Sequence, residues 1–377
     1  MVDRIGIAIV GCGYWGMNYV RVFSELPQAT VIAAVDLRED RLQMVERRFA
    51  AVSTFQEYKE VLDNPNVTGV VVSTPASMHH PIVRDSLLSG KHVLVEKPMT
   101  THVRQAEELV CLADGSEAVL MVGHTFLYNP GIMKMKACMD EEDFGRVYYL
   151  HGLRTNLGPI REDVNAIWDL APHDVSIFNY LLDSTPTWVS AVGATVLGNG
   201  REDVGFVTLY YPNGVLANIH VSWANPNKVR QVTVVGSNKR ICFDDLNSVE
   251  RIRIYDKGVA SQPAESNSFG EFRLLVRDGD IVSPRVEATE PLKNQCSHFL
   301  ECIQTGTQPA TDARNGLEVV KVMVAIQESM AKNGEPANVK QIAAMPERYI
   351  APFGEPRNQL RGSSGSSLPS HVLRRGE

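Results

Sequence analysis

The chain has 377 residues, 44% hydrophobic and 21% charged, with a formal net charge of −7. That balance is ordinary for a globular protein, and the length predicts two domains. It excludes a nucleic-acid partner, since no basic cluster tracks a phosphate backbone, and a membrane span, since the longest apolar run, around Val67 to Val72, is far too short. Six cysteines (Cys12, Cys111, Cys138, Cys242, Cys296 and Cys302) form no C-x-x-C pair, which argues against structural zinc and fits free thiols in a reducing cytosol. No secretory signal is legible before the first strand.

Ile5 to Val10 is an apolar run of strand length, and Gly11-Cys12-Gly13-Tyr14-Trp15-Gly16 follows at once. A helical pattern opens there, with Met17, Val20, Val22, Phe23 and Leu26 apolar, and Pro27 closes it. Val31 to Val35 reads as the next strand, with Asp36 at its end, twenty residues beyond Gly16. This is the order and spacing of a dinucleotide-binding βαβ unit. Gly11 permits the tight turn, Gly13 lets a pyrophosphate approach the backbone, and Gly16 lets the helix pack near the strand. The helix N-terminus favours phosphate charge. Asp36 suits ribose hydroxyls and repels a 2′-phosphate, so NAD is favoured over NADP, with Arg38 close enough to soften that preference.

Arg41 to Phe49 and Tyr58 to Leu62 read as helices, and Val67 to Ser73 as a strand buried on both faces. Thr74-Pro75 ends it. Pro81 to Ser89 is helical with Gly90 as its cap. His92 to Val95 is another buried strand, with Glu96-Lys97-Pro98 at the carboxyl end where ligands bind in open α/β sheets. Thr101 is expected to cap a helix over Val103 to Ala113, and Ala118 to Val122 is a further strand. Strand alternating with helix predicts a doubly wound parallel sheet over residues 1–123.

The pattern then changes to an α+β domain over 124–355. Pro130 to Met139 is helical. Arg146 to Arg154 is a strand entering a loop over Thr155 to Ile167, and a helix is expected from Pro172 to Leu182. Strand-like runs follow at Trp188–Val196, Gly205–Tyr211, Val215–Trp223, Val229–Val235, Arg240–Phe243 and Arg251–Tyr255, with a hairpin signal at Tyr211 to Val215. Consecutive strands joined by turns imply a mostly antiparallel sheet. Residues 256–290 look irregular, Asn294–Ile303 and Gly316–Lys332 look helical, and the Gly/Ser-rich tail over 356–377 reads as flexible.

Several motifs agree on one family. They are the glycine turn, Thr74-Pro75 with His79 five residues on, Gly90-Lys91-His92-Val93 leading into Glu96-Lys97-Pro98, Asp169 with His173, and Pro309 to Asp312 with Asn315-Gly316 before the last long helix. Over about residues 4 to 335 the chain resembles the Gfo/Idh/MocA oxidoreductases. Ala76 departs from the pattern, which often has Asn after Thr-Pro. The resemblance implies a Rossmann domain with a second domain built on a large antiparallel sheet, a nicotinamide cofactor, and a sugar, sugar-nucleotide or cyclitol substrate. It also implies a homodimer or homotetramer through the open face of that sheet.

Oxidising a secondary alcohol needs an acid/base group within reach of the reacting oxygen, while the cofactor handles the hydride. Lys97, ending a buried strand and locked by Pro98, is the first candidate, and its bond to Pro98 is a candidate cis peptide. Glu96 either pairs with it or holds the loop. His173 is the second candidate. With Pro172 at the first helical position, the positive end of the helix dipole would keep it neutral. Asp169, four residues earlier, would orient the ring or bind substrate. Either Lys97 or His173 serves as the immediate base. His79 is expected to line the cofactor cleft, and Tyr14 and Trp15 to cover adenine or pack. Arg154, Asn156 and Arg161 suit sugar hydroxyls or phosphates. His124, Tyr128 and Asn129 follow the last parallel strand, and Trp188 and Trp223 read as sheet core. The chemistry needs no metal. Rival readings are a reductase of another carbonyl, imine or dihydrodiol, and a non-catalytic NAD-binding sensor.

Overall fold

The computed structural model describes residues 4–161, 163–198, 200–261 and 274–340. Up to Gly123 the chain alternates β1 (Ile5–Val10), α1 (Tyr14–Glu25), β2 (Ala29–Val35), α2 (Glu39–Arg48), β3 (Ser53–Phe55), α3 (Tyr58–Leu62), β4 (Gly69–Val72), α4 (His79–Leu88), β5 (His92–Glu96), α5 (Val103–Asp114) and β6 (Leu120–Gly123). The strands form one parallel sheet of order β3-β2-β1-β4-β5-β6. The order reverses between β1 and β4, which opens a crevice at their carboxyl ends.

Alternate side chains of these strands feed two separate cores. Ile7, Ile9, Val71, Leu94 and Met121 pack with Tyr19, Val22 and Phe23 of α1. Ala8, Val10, Val70, Val72, Val93 and Val95 pack with Ile82 and Val83 of α4 and Ala106 and Leu109 of α5. Burial on both faces explains the unbroken valine runs; each such side chain contributes roughly 1.5–3 kcal/mol.

Beyond Gly123 come α6 (Pro130–Met139), β7 (Val147–Leu157), α7 (Ala166–Leu182), β8 (Trp188–Ala194), β9 (Val204–Tyr210), β10 (Leu216–Ser222), β11 (Ala224–Gly236), β12 (Arg240–Asp244) and β13 (Ile252–Tyr255). They are followed by β14 (Gly258–Ser261), β15 (Leu274–Arg277), β16 (Ile281–Val282), α8 (Pro291–Thr305), α9 (Ala313–Ala331) and β17 (Ala337–Asn338). The large sheet has the order β16-β13-β12-β11-β7-β10-β9-β8-β17. Its pairs are antiparallel except β7 with β10. One face, carrying Leu150, Val189, Val207, Leu209, Ala217 and Ile219, is buried under α7 and α9. The late helices also reach the first sheet. Leu292, Cys296 and Phe299 of α8 join the α1 core, and Thr311, just before α9, bonds the Val122 backbone through both its carbonyl and its hydroxyl at 2.7 Å.

Three local expectations are corrected. The helix expected from Pro172 starts at Ala166, because the Asn165 side chain accepts the Trp168 N–H at 2.9 Å and caps it there. Pro172 therefore lies inside the helix. The cap of α5 is His102 rather than Thr101, whose hydroxyl instead meets the His102 ring at 2.9 Å. Residues read as irregular contain β14, β15 and β16, two to four residues each, too short to show an alternating pattern. The tail over 356–377 lies outside the described residues.

Candidate active site

The glycine turn carries three different backbone requirements. Gly11 has φ of 94°, and a Cβ there would stand 2.7 Å from the Ser73 carbonyl carbon. A Cβ on Gly16 would stand 1.8 Å from the Gly11 oxygen, so only glycine lets α1 rise so close to β1. A Cβ on Gly13 would meet nothing within 4 Å. Gly13 thus fronts open space at the start of α1, whose N-terminus has no side-chain cap and no acid in its first turn. Backbone N–H groups left free at a helix start bind anions. Opposite, at the end of β4, the buried Thr74 hydroxyl has no hydrogen-bond partner. These features fit a dinucleotide.

Asp36 uses one carboxylate oxygen on the Cys12 N–H at 2.7 Å and the other on the Arg38 N–H at 2.9 Å. Each oxygen keeps a further lone pair for a ribose hydroxyl. Arg38 turns away and forks onto Asp40 at 3.0 and 2.7 Å. Tyr14 and Trp15 are exposed and meet edge to face at 5.5 Å. His79 is buried against backbone. Its Nδ1 lies 2.8 Å from the Pro98 carbonyl and its Nε2 2.9 Å from the Thr74 carbonyl. It ties the β4 turn, where Pro75 precedes a short 3-10 segment, to the β5 end. Burial lowers its proton affinity.

The reacting end assembles around Lys97. The Lys97–Pro98 peptide is cis. The ammonium is buried and donates to the Asp169 carbonyl at 2.7 Å and to its carboxylate at 3.2 Å. Pro172, three residues further along α7, has no N–H to donate within the helix. Asp169 also accepts from Arg161 at 3.1 Å and from the Trp223 indole at 3.3 Å. Burial would raise its pKa, but the Lys97 and Arg161 cations prevail and lower it. Arg161 itself forks onto Asp163 at 2.8 and 2.5 Å.

Glu96 does not pair with the Lys97 ammonium. Its carboxylate accepts from the Tyr19 hydroxyl at 2.7 Å and from the Lys97 N–H at 3.2 Å, while Gln295 of α8 donates to Tyr19 at 3.0 Å. Glu96 therefore braces the strand end against α1 and α8, and burial raises its pKa.

His173 lies one helical turn from Asp169, on the same side of α7. It is in mid-helix, so the helix dipole does not account for its neutrality. Burial does, followed by the positive charges of Lys97, Arg154 and Arg230, and its pKa falls well below the ordinary value. Its Nδ1 has no partner. His124 stands beside Lys97, because Glu96 pairs with Gly123 in the sheet. Both His124 ring nitrogens are buried and unpartnered; burial and the Lys97 charge push its pKa down to about 3. Of the buried polar atoms without a partner among the described residues, Thr74 Oγ1, His173 Nδ1 and both His124 nitrogens gather at this one edge.

Arg154 and Asn156 are engaged elsewhere. Arg154 is buried in a bidentate pair with Asp174 at 2.9 and 3.1 Å, and Asn156 donates to the Gly158 carbonyl. Sequence reasoning passed over Tyr19, Phe126, Asp174 and Arg230, and left Trp223 as plain core. Tyr19, fully buried on α1, carried the one usable signal, a phenol on an apolar helix face. Trp188 is not core: it is half-buried and stacks on Tyr210 at 5.1 Å.

Residues 5–124 match the family model described as an oxidoreductase family with an NAD-binding Rossmann fold, and residues 132–242 match the Gfo/Idh/MocA C-terminal domain. The chain is 22% identical over 354 residues to scyllo-inositol 2-dehydrogenase (NAD⁺) of Bacillus subtilis, covering 90% of this chain and 97% of that one. It is 22% identical over 350 residues to D-xylose 1-dehydrogenase (NADP⁺) of Haloarcula marismortui, covering 87% and 91%. The fold is similar to that of UDP-N-acetylglucosamine 3-dehydrogenase from Acidithiobacillus ferrooxidans, with a TM-score of 0.75 at 22% identity over 87% of this chain and 98% of that one. On both its domains the chain belongs to the Gfo/Idh/MocA oxidoreductase family.

Proposed function

We propose that this chain is an NAD(P)-dependent dehydrogenase acting on a secondary hydroxyl of a sugar, sugar nucleotide or cyclitol. The observation that carries this is the convergence of Lys97, Asp169 and His173 at the carboxyl edge of the first sheet, among unpartnered polar atoms. The nicotinamide, when bound, supplies hydride chemistry. Lys97 holds the reacting oxygen with its third ammonium donor, since two are used on Asp169. The neutral His173 imidazole takes the hydroxyl proton. The cations that keep His173 neutral also favour negative charge developing on that oxygen. Asp169, anchored by Arg161 and Trp223, keeps the Lys97 head in place. Arg161, bonded to Asp169, suits substrate hydroxyls or phosphate.

Asp36 supports a preference for NAD, because Arg38 is committed to Asp40 rather than facing a 2′-phosphate. The test follows absorbance of the reduced nicotinamide with a panel including inositols, xylose and UDP-N-acetylglucosamine, with each dinucleotide. Turnover of at least one member, reduced far more than cofactor affinity in His173→Ala, supports the reading. A tightly bound ligand without turnover favours a sensor.

A second copy is the proposed occupant of the open face of the large sheet. Val192, Phe206 and Leu216 are exposed there, with Phe206 stacked on His220 at 4.4 Å. Phe206→Glu should convert a dimer or tetramer into monomers by light scattering. The cytoplasm fits six cysteines that are all free thiols.

A further inference from the structure

By its sequence Arg154 is a substrate ligand, yet its guanidinium is spent inside the protein. Two of its nitrogens are held by Asp174, which is fully buried, and its Cζ lies over the Phe126 ring, 4.3 Å from the ring centre. Phe126 in turn meets the His173 ring at 5.1 Å and 67°. A histidine that moves protons usually has its ring fixed by a hydrogen bond at the second nitrogen. His173 Nδ1 has none among the described residues. Ring packing is what remains to fix its plane.

We propose that Arg154 is a positioning residue: clamped by Asp174, it backs Phe126, and Phe126 sets the plane of the His173 imidazole. The parts come from different places. Arg154 lies on β7, Asp174 follows His173 on α7, and Phe126 sits in the turn after β6. The stack therefore joins the first sheet to the second at the imidazole. An ordinary buried ion pair needs neither the cation over the ring nor the ring against His173. The inference rests on the reading of His173 as the proton acceptor.

The test uses the full chain without substrate. Histidine side-chain NMR at pH 7, with His173 assigned by its loss in His173→Asn, reads the ring directly. Wild type is expected to give one sharp neutral-ring set. Phe126→Leu and the double variant Arg154→Met/Asp174→Asn, which strands no buried charge, are expected to broaden or split it. Phe126→Tyr restores it. With the panel substrate that wild type turns over, Phe126→Leu should lower kcat on the order of 10-fold or more and change KM less than about twofold. A lower melting temperature with an unchanged His173 spectrum and unchanged kcat overturns the proposal. So does an effect on KM alone. If His173→Ala itself keeps full turnover, the proton-acceptor reading fails, while the spectra still judge the ring.

Discussion

The nucleotide end of the crevice is built mainly from one contiguous stretch, Gly11 to Asp36, whose shape is dictated by backbone distances, including those to Ser73 and Thr74. The reacting end draws Lys97, Phe126, the α7 pair Asp169 and His173, and Trp223 from four separate parts of the chain and is held by side-chain contacts. At the first end a single Cβ decides whether the turn can form. At the second end charge and hydrogen bonding between separate parts of the chain decide what works. The first end should therefore fail through fold and affinity, and the second through rate.

The largest effect is expected at Gly16. In Gly16→Ala the new methyl group would overlap a backbone oxygen that cannot turn aside. The expected result is no soluble chain, or a folded chain with no NADH binding, a cost in the exceptional class beyond about 4 kcal/mol. Gly13→Ala sharpens the contrast, since its methyl meets nothing in the protein. Thermal unfolding should stay within about 1 kcal/mol of wild type, while the NADH dissociation constant rises roughly 10-fold or more. Equal losses in stability and binding would break the distinction.

Lys97→Met tests the other end. Turnover should fall on the order of 10²- to 10³-fold, as when one donor to a developing oxyanion is removed, with NADH affinity nearly unchanged. The Asp169 carboxyl loses its largest neutralising charge, so its pKa should rise toward the ordinary carboxylate range.

A further effect concerns pH. The pKa values of His79, His124 and His173 are all lowered by burial. A histidine with a folded pKa below its unfolded value binds fewer protons when folded. Stability present above about pH 6.5 is then lost as pH falls. His124 alone should lose about 2 kcal/mol between pH 7 and pH 5. Denaturant titrations at the two pH values should show this loss in wild type, and less of it in His124→Asn.

What was legible in the sequence divides along the same line. β1, the glycines and Asp36 lie within one short stretch, and the unbroken valines of β4 and β5 advertise strands buried on both faces. The helix over Pro130–Met139 was legible to the residue, with Pro130 marking its start, and the short helix beginning at Tyr58 was legible ahead of the turn at Asn64-Pro65. The start of α7 was hidden because Pro172 looks like a first-turn proline, whereas the Asn165 cap and buried Ala166, Ile167 and Trp168 outweigh its cost inside the helix. Lys97, Asp169 and His173 could be nominated one by one through the family motifs they sit in, since a strand-end lysine, a loop acid and a first-turn histidine alone read as surface charge and a cap. The roles of Arg154, Phe126 and Trp223 could not, since they depend on which strand end meets which helix turn.

A double-mutant cycle on turnover most directly tests whether positions 97 and 173 act on one reacting oxygen. Lys97→Met and His173→Ala should each slow turnover strongly, and the double variant should be at most about 10-fold slower than the worse single variant, as for residues that work as a unit. Losses that multiply fully, or a His173→Ala variant with wild-type turnover, would contradict the account.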